Sequence, residues 1–221
     1  MQTINLIYAT NRNPIGNADE PSGYGKTLTT TNGGQDLRFG VVTLDIPQAV
    51  FEFASGQDLS RQLATLVDKA AIAPYPEKLD RELSESAQRG MKLGSKAMFW
   101  DVHAQMCKST DVVLYVHGFN TSWADAVGTA VALQIVLNRS NKKKPDEDVM
   151  VVLFSWPSDG MALPFVSYLS DRADARTLGL AMGRGFLKFR DFLVALRDAV
   201  KQNKRVNNKN VKRCEQEVHL L

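Results

Sequence analysis

Two uninterrupted apolar runs, Val112-Val113-Leu114-Tyr115-Val116 and Val149-Met150-Val151-Val152-Leu153-Phe154, constrain the fold of this chain most. A strand with one wet face alternates apolar and polar residues. These runs do not alternate, so they fit strands buried on both faces, as in a parallel sheet covered by helices. Between them Ser122 is placed to cap a helix, with Asp125 three residues on, near the positive end of the helix dipole, and an apolar segment continuing to Leu137. After the second run, Leu178, Met182, Phe186, Phe189, Leu193, Leu196 and Val200 recur at helical spacing. Gly179, Gly183 and Gly185 would let one turn of this helix approach the sheet closely, at a cost in helix propensity. Glu217-Val218-His219-Leu220-Leu221 begins a further apolar run. Strand, helix, strand, helix, strand predicts an α/β fold: a doubly wound sheet, parallel in its central part, with flanking helices.

The N-terminal part is less regular. Ile4-Asn5-Leu6-Ile7-Tyr8-Ala9 reads as a strand, and Asn11-Arg12-Asn13-Pro14-Ile15-Gly16 as a loop. Residues 17–34 are rich in Gly, Thr, Ser and Asn without periodicity, which predicts an exposed segment. Residues 37–46 resume a strand pattern closed by Pro47, residues 55–88 carry no readable period, and 96–108 predict a helix with Met98, Val102 and Met106 on one face. One domain is expected, with 1–95 as an N-terminal extension and early strands and 96–221 as the central strands and helices.

With 27 Lys+Arg against 24 Asp+Glu, the global charge names no partner. The basic run at 201–213 lacks the interleaved aromatics that single-stranded nucleic acid stacks on, so it reads as a solvated connection and no nucleic-acid partner is expected. Cys107 and Cys214 form neither a metal-ligand spacing nor a disulfide framework, which favours a reduced compartment. No signal peptide and no 18-residue apolar stretch occur, so a membrane span is not expected and a cytoplasmic location follows by default. Gly23-Tyr24-Gly25-Lys26-Thr27 ends like a phosphate-binding loop, but Glu20 stands where the first glycine is required, and nucleotide binding is not expected.

The chemistry-bearing signal is Val116-His117-Gly118-Phe119-Asn120, a His-Gly turn directly after one buried strand and directly before a helix. A backbone N–H in such a turn can be aimed at the oxyanion of an acyl-transfer intermediate. Gly118 would allow the sharp turn and leave the Phe119 N–H free to donate. The plainer alternative is a tight turn with an incidental imidazole.

This motif, with Phe154-Ser155-Trp156-Pro157-Ser158-Asp159-Gly160 and Tyr168-Leu169-Ser170-Asp171-Arg172-Ala173-Asp174-Ala175-Arg176, resembles a bacterial α/β-hydrolase family of unknown function marked by V-H-G-F-N. Tyr8-Ala9-Thr10-Asn11-Arg12, Phe39-Gly40 and Ile46-Pro47 look like that family's N-terminal extension. The resemblance implies an α/β-hydrolase sheet and a serine nucleophile on an elbow after the strand resembling Val218-His219-Leu220-Leu221, followed by an acidic residue and a histidine. No G-x-S-x-G pattern occurs in residues 1–221, so the sheet is expected to be incomplete at its C-terminus and the 221-residue chain inactive.

The resemblance therefore carries over only the oxyanion side: Phe119 as main-chain donor, Gly118 shaping the turn, His117 and Asn120 bracing it. Trp156, Ser158 and Asp159 follow the second central strand at the edge where open α/β sheets bind ligands. They either line a substrate pocket or pack the strand exit and cap a turn. The implied activity is serine hydrolysis of an ester or related acyl bond in a small-molecule substrate, without metal or organic cofactor. The alternative is a non-catalytic interaction protein on a truncated hydrolase scaffold, binding a partner through its exposed edge or its basic loop; an unpaired sheet edge is also expected to favour self-association.

Overall fold

The computed structural model describes residues 1–53, 56–78, 84, 91–139, 148–158, 166–207 and 218–221. Its first strands are β1 (Gln2–Thr10), β2 (Arg12–Gly16), β3 (Pro21–Leu28) and β4 (Arg38–Ile46), followed by helices α1 (Gln48–Phe53) and α2 (Gly56–Leu66) and strand β5 (Ala71–Pro74). Then come α3 (Gly94–Met106), β6 (Ser109–Val116), α4 (Trp123–Arg139), β7 (Asp148–Ser155), α5 (Val166–Asn207) and β8 (Val218–Leu220). Six strands form one sheet in the order β5-β4-β1-β7-β6-β8.

β7 pairs in parallel with both β1 and β6, and β6 in parallel with β8. β4 is antiparallel to β1 and to β5, so among the described strands of this sheet it alone runs against the rest. The expected α/β architecture with a parallel centre is therefore present. Because β4 is reversed, its first residue, Arg38, lies opposite Thr10 at the carboxyl end of β1. The carboxyl ends of β1, β6 and β7 and the start of β4 share one edge.

The β7 run is buried on both faces, whereas in β6 Val112 is buried and residues 113–116 are partly buried. Leu6, Tyr8, Val42, Leu44, Val151 and Leu153 pack under α2 and α4 with Leu59, Leu63, Val127 and Val131. Ile7, Ala9, Val112, Val152 and Phe154 pack on the opposite face with Met98, Val102, Met106, Met182 and Phe189 of α3 and α5. The cap expected at Ser122 forms reciprocally: its Oγ accepts from the Asp125 N–H at 3.1 Å and donates to the Asp125 carboxylate at 2.6 Å.

Several expectations need correction. Residues 12–28, read as loop and exposed segment, form the β2–β3 hairpin. Tyr24 is buried there, edge-on to Tyr8 and Trp123, and a single inward aromatic among Gly, Ser and Thr is too little to produce a period. Gly23-Tyr24-Gly25-Lys26-Thr27 lies within β3 rather than at a strand-to-helix loop. The unreadable 55–88 stretch contains α2 and β5. Asn138, just past the apolar segment that ends at Leu137, lies in the last turn of α4 and clasps the Val149 backbone through both amide atoms, at 2.9 and 2.8 Å. α5 continues to Asn207, so the first part of the basic run is helical and the rest lies outside the described residues. Cys107 is disulfide-bonded, against the expectation of reduced thiols, which removes the argument from cysteine chemistry for a reduced compartment. Among the described residues no helix is long and apolar enough to cross a membrane.

α2 and α4 approach so closely that a Cβ on Gly128 would lie 2.7 Å from Ser60 O and from Ala64 N, both backbone atoms that cannot turn away. Gly128→Ala should destabilise the fold by about 1–3 kcal/mol through overpacking. Gly183→Ala, whose Cβ would meet nothing within 4 Å, should stabilise by roughly 0.5–1 kcal/mol. Urea unfolding midpoints of the two variants should move in opposite directions.

Candidate active site

Where β1, β6 and β7 end, the chain buries an unusual set of polar groups: Arg12, Ser155, Ser158 and His117 are all at most 3% exposed. Each is the last residue of its strand or follows it within a few positions, so the parallel register alone brings them together. The Arg12 guanidinium spans the cluster. Its Nε donates to Ser155 Oγ at 2.9 Å, one terminal nitrogen to Gly25 O in β3 at 3.0 Å, and the other to Thr121 O at 2.7 Å. A planar fork with five donors suits several acceptors in fixed directions; a lysine ammonium does not.

His117 sits beneath it. The Trp156 N–H donates to His117 Nε2 at 3.1 Å, which makes that nitrogen an acceptor and places the proton on Nδ1, donating to Gly118 O at 2.8 Å. The Ser155 hydroxyl, also 3.1 Å away, donates to the same Nε2. The imidazole stacks on the Trp156 indole with rings 5.5 Å apart and 4° from parallel, and the indole N–H donates to His117 O at 2.9 Å. Burial pushes the His117 pKa down to about 4; the Gly118 carbonyl opposes this and the nearby Arg12 charge adds to it. The ring is therefore neutral near pH 7.

Ser155 and His117 stand at the separation of a nucleophile and its base, yet they cannot serve as one. Ser155 is fully buried, its oxygen already accepts from Arg12, and His117 Nε2 is occupied by a backbone N–H. The pair is part of the scaffold of the turn.

Two carbonyls of that turn are held by the buried groups, Gly118 O by His117 and Thr121 O by Arg12. The Thr121 hydroxyl has two acceptors within reach, Gly118 O at 3.2 Å and Phe119 O at 3.3 Å, and its one proton serves one of them at a time. The Thr121 N–H donates to Ser158 Oγ at 3.3 Å. Among the described residues nothing accepts from the Phe119 N–H. Gly118 has open space where a Cβ would stand, the Phe119 side chain is half-exposed, and Asn120 takes φ 56°, a left-handed conformation that asparagine tolerates. No described residue bonds the Asn120 side chain, so its contribution to the turn is conformational.

Of the residues expected to contact substrate, Trp156 and Ser158 are buried against the turn and present almost no surface to a ligand; Asp159 lies outside the described residues. His103 and His219 stand apart from the cluster, on α3 and β8. The sequence reading missed Arg12 and Ser155 as site residues. The available signal was an arginine directly after a buried strand, within a segment read as a loop. Among the described residues no group of side chains could hold a metal ion.

With this geometry in place, comparison with known proteins gives one match. Residues 96–184 are similar to the family described as alpha/beta hydrolase of unknown function (DUF900), which supports an α/β-hydrolase scaffold. The matched segment is less than half of the chain and runs from α3 into α5, taking in the His117 turn and the β7 exit but not Arg12. No curated protein and no solved structure matches the chain significantly.

Two outcomes test the cluster. Arg12→Lys should destabilise by about 1–3 kcal/mol for each buried acceptor left unmet, as read from urea unfolding. Because the pKa of His117 is lowered from 6.5 to about 4 in the fold, its neutral form stabilises the native state fully above pH 6.5. That contribution falls as the pH drops from 6.5 to 4. Relative to His117→Gln, the wild type should lose roughly 3 kcal/mol over that window.

Proposed function

We propose that this chain forms the oxyanion side of a serine hydrolase of the α/β-hydrolase family, acting on an ester or related acyl bond of a small molecule. The observation that carries the reading is the Phe119 N–H, which has no acceptor among the described residues while Gly118 O and Thr121 O on either side of it are engaged by His117 and Arg12. A fixed donor at the carboxyl edge of a central strand stabilises a tetrahedral oxyanion without reorganising during the reaction. In this reading Gly118 keeps the approach to Phe119 open, Asn120 sets the left-handed step, and His117, Trp156 and Ser158 support the turn from behind.

The nucleophile would follow β8. The ladder between β6 and β8 continues through Leu221, whose N–H donates to Leu114 O and whose carbonyl accepts from the Val116 N–H. Residues after Leu221 would thus emerge beside the turn that begins at His117. A serine on a sharp elbow there, with a later acidic residue and histidine, completes the proposed acyl transfer.

A second reading, a scaffold that binds another chain, is favoured by Leu220 and Leu221, each 63% exposed on the outer strand. Such an edge invites pairing. Concentration-dependent self-association in gel filtration would support it.

The deciding experiment uses a form of the protein in which the chain continues past Leu221 with an elbow segment. Fluorophosphonate should label a serine in that added segment. Phe119→Pro, which removes the donor, should lower kcat for a p-nitrophenyl ester by about 10²–10³-fold. An added segment without a labelled serine, or an unchanged kcat in Phe119→Pro, would overturn the proposal.

A further inference from the structure

Two cavities meet on the face of the sheet covered by α3 and α5. One is a slot of about 60 Å³ between the sheet and the helices, with walls that are apolar throughout, including Val102, Val152, Phe154 and Phe189. The other, about 460 Å³, opens at the same edge as the candidate active site and carries Arg38, Arg184 and Lys188 together with Asp36 and Glu77. Leu37, Phe39 and Gly185 line both, so the slot continues from the wider mouth.

The charges are arranged unevenly. Arg38 lies 3.7 Å from Glu77 and donates to Ala18 O, and Asp36 accepts from Asn32. These two acids are thus engaged on the β4 side of the mouth. On the α5 side, Arg184 and Lys188 stand one helical turn apart. Arg184 donates one terminal nitrogen to Gln35 O at 3.2 Å, and Lys188 has no acidic partner among the described residues.

Gly185 lies between them in sequence, within a helix interior where glycine is unfavourable. A Cβ there would make only ordinary contact with Leu37 at 3.5 Å, so close helix packing does not demand the glycine. Its effect is to keep the neck between mouth and slot open.

We propose that this passage binds a medium-chain carboxylate, its head between Arg184 and Lys188 and its tail past Gly185 into the apolar slot. A slot of 60 Å³ holds the equivalent of about four to six waters at 10–15 Å³ each, room for the last few carbons of such a chain. The remaining carbons lie in the mouth. Binding requires no catalysis, so the site stands or falls independently of the hydrolase reading.

Isothermal titration of the 221-residue protein with octanoate, 1-octanol and acetate tests it. Octanoate should bind more tightly than octanol, and acetate should give no heat. Gly185→Leu should abolish octanoate binding while its thermal unfolding remains cooperative, since leucine favours the helix. The surface pair Arg184→Gln with Lys188→Gln, which does not touch the core, should weaken octanoate by about tenfold and leave octanol unchanged. Octanol binding as tightly as octanoate, equal binding by the glutamine pair, or unchanged binding by a folded Gly185→Leu would each overturn the proposal.

Discussion

The buried guanidinium of Arg12, at the start of the hairpin that follows β1, ties the β3 arm of that hairpin to the turn after β6 and the exit of β7. Burying a charge is costly unless every donor finds a partner, so the arginine constrains its surroundings as much as it supports them. Carbonyls at Gly25 and Thr121 must face it, and Ser155 must offer its oxygen. His117, 3.4 Å from one terminal nitrogen, must present an unprotonated Nε2. A second positive charge there would meet the first in a dry interior. Burial does most to lower the pKa of His117 and the Arg12 charge adds to it, while the same guanidinium holds the Thr121 carbonyl of the turn.

The topology of the sheet explains why so much of the polar chemistry lies at that edge. β1, β6 and β7 run in parallel and deliver their last residues to it, while the reversed β4 begins there. Arg38 therefore stands in the same layer as Thr10, and the mouth beside α5, which Arg38 lines, opens at that edge on the β4 side of the sheet. The two faces of the sheet differ. Under α2 and α4 the backbone itself is in contact at Gly128, whereas under α3 and α5 the packing leaves a slot. Close packing of the first face fixes α4, and hence the start of the helix at Trp123, against which Tyr8 and Tyr24 hold the hairpin.

Much of this architecture is legible in the chain because the relevant forces are periodic or local. The runs at 112–116 and 149–154, the spacing of Met182, Phe186, Phe189 and Leu193, and the Ser122 cap each carry their signal within a few residues. The hairpin does not. β2 and β3 have Pro14, Gly23 and Gly25 within them, and what holds them is the pairing of one arm with the other and the insertion of Tyr24 between Tyr8 and Trp123. The position of the turn at His117 is readable from its place between strand and helix, but its orientation depends on Arg12, more than one hundred residues away in the chain.

The amino-acid sequence by itself determined the alternation of strands and helices, the two-sided burial of the central strands and the position of the His-Gly turn, because hydrophobic periodicity and capping are short-range properties. Tertiary structure decided the rest. Only the folded sheet brings Arg12, His117 and Ser155 within hydrogen-bonding distance, fixes the imidazole as a neutral acceptor, and sets Arg184 and Lys188 over the same edge as Phe119. The physical reason is that partner choice and desolvation depend on which distant segments exclude water together, and no local pattern along the chain encodes that.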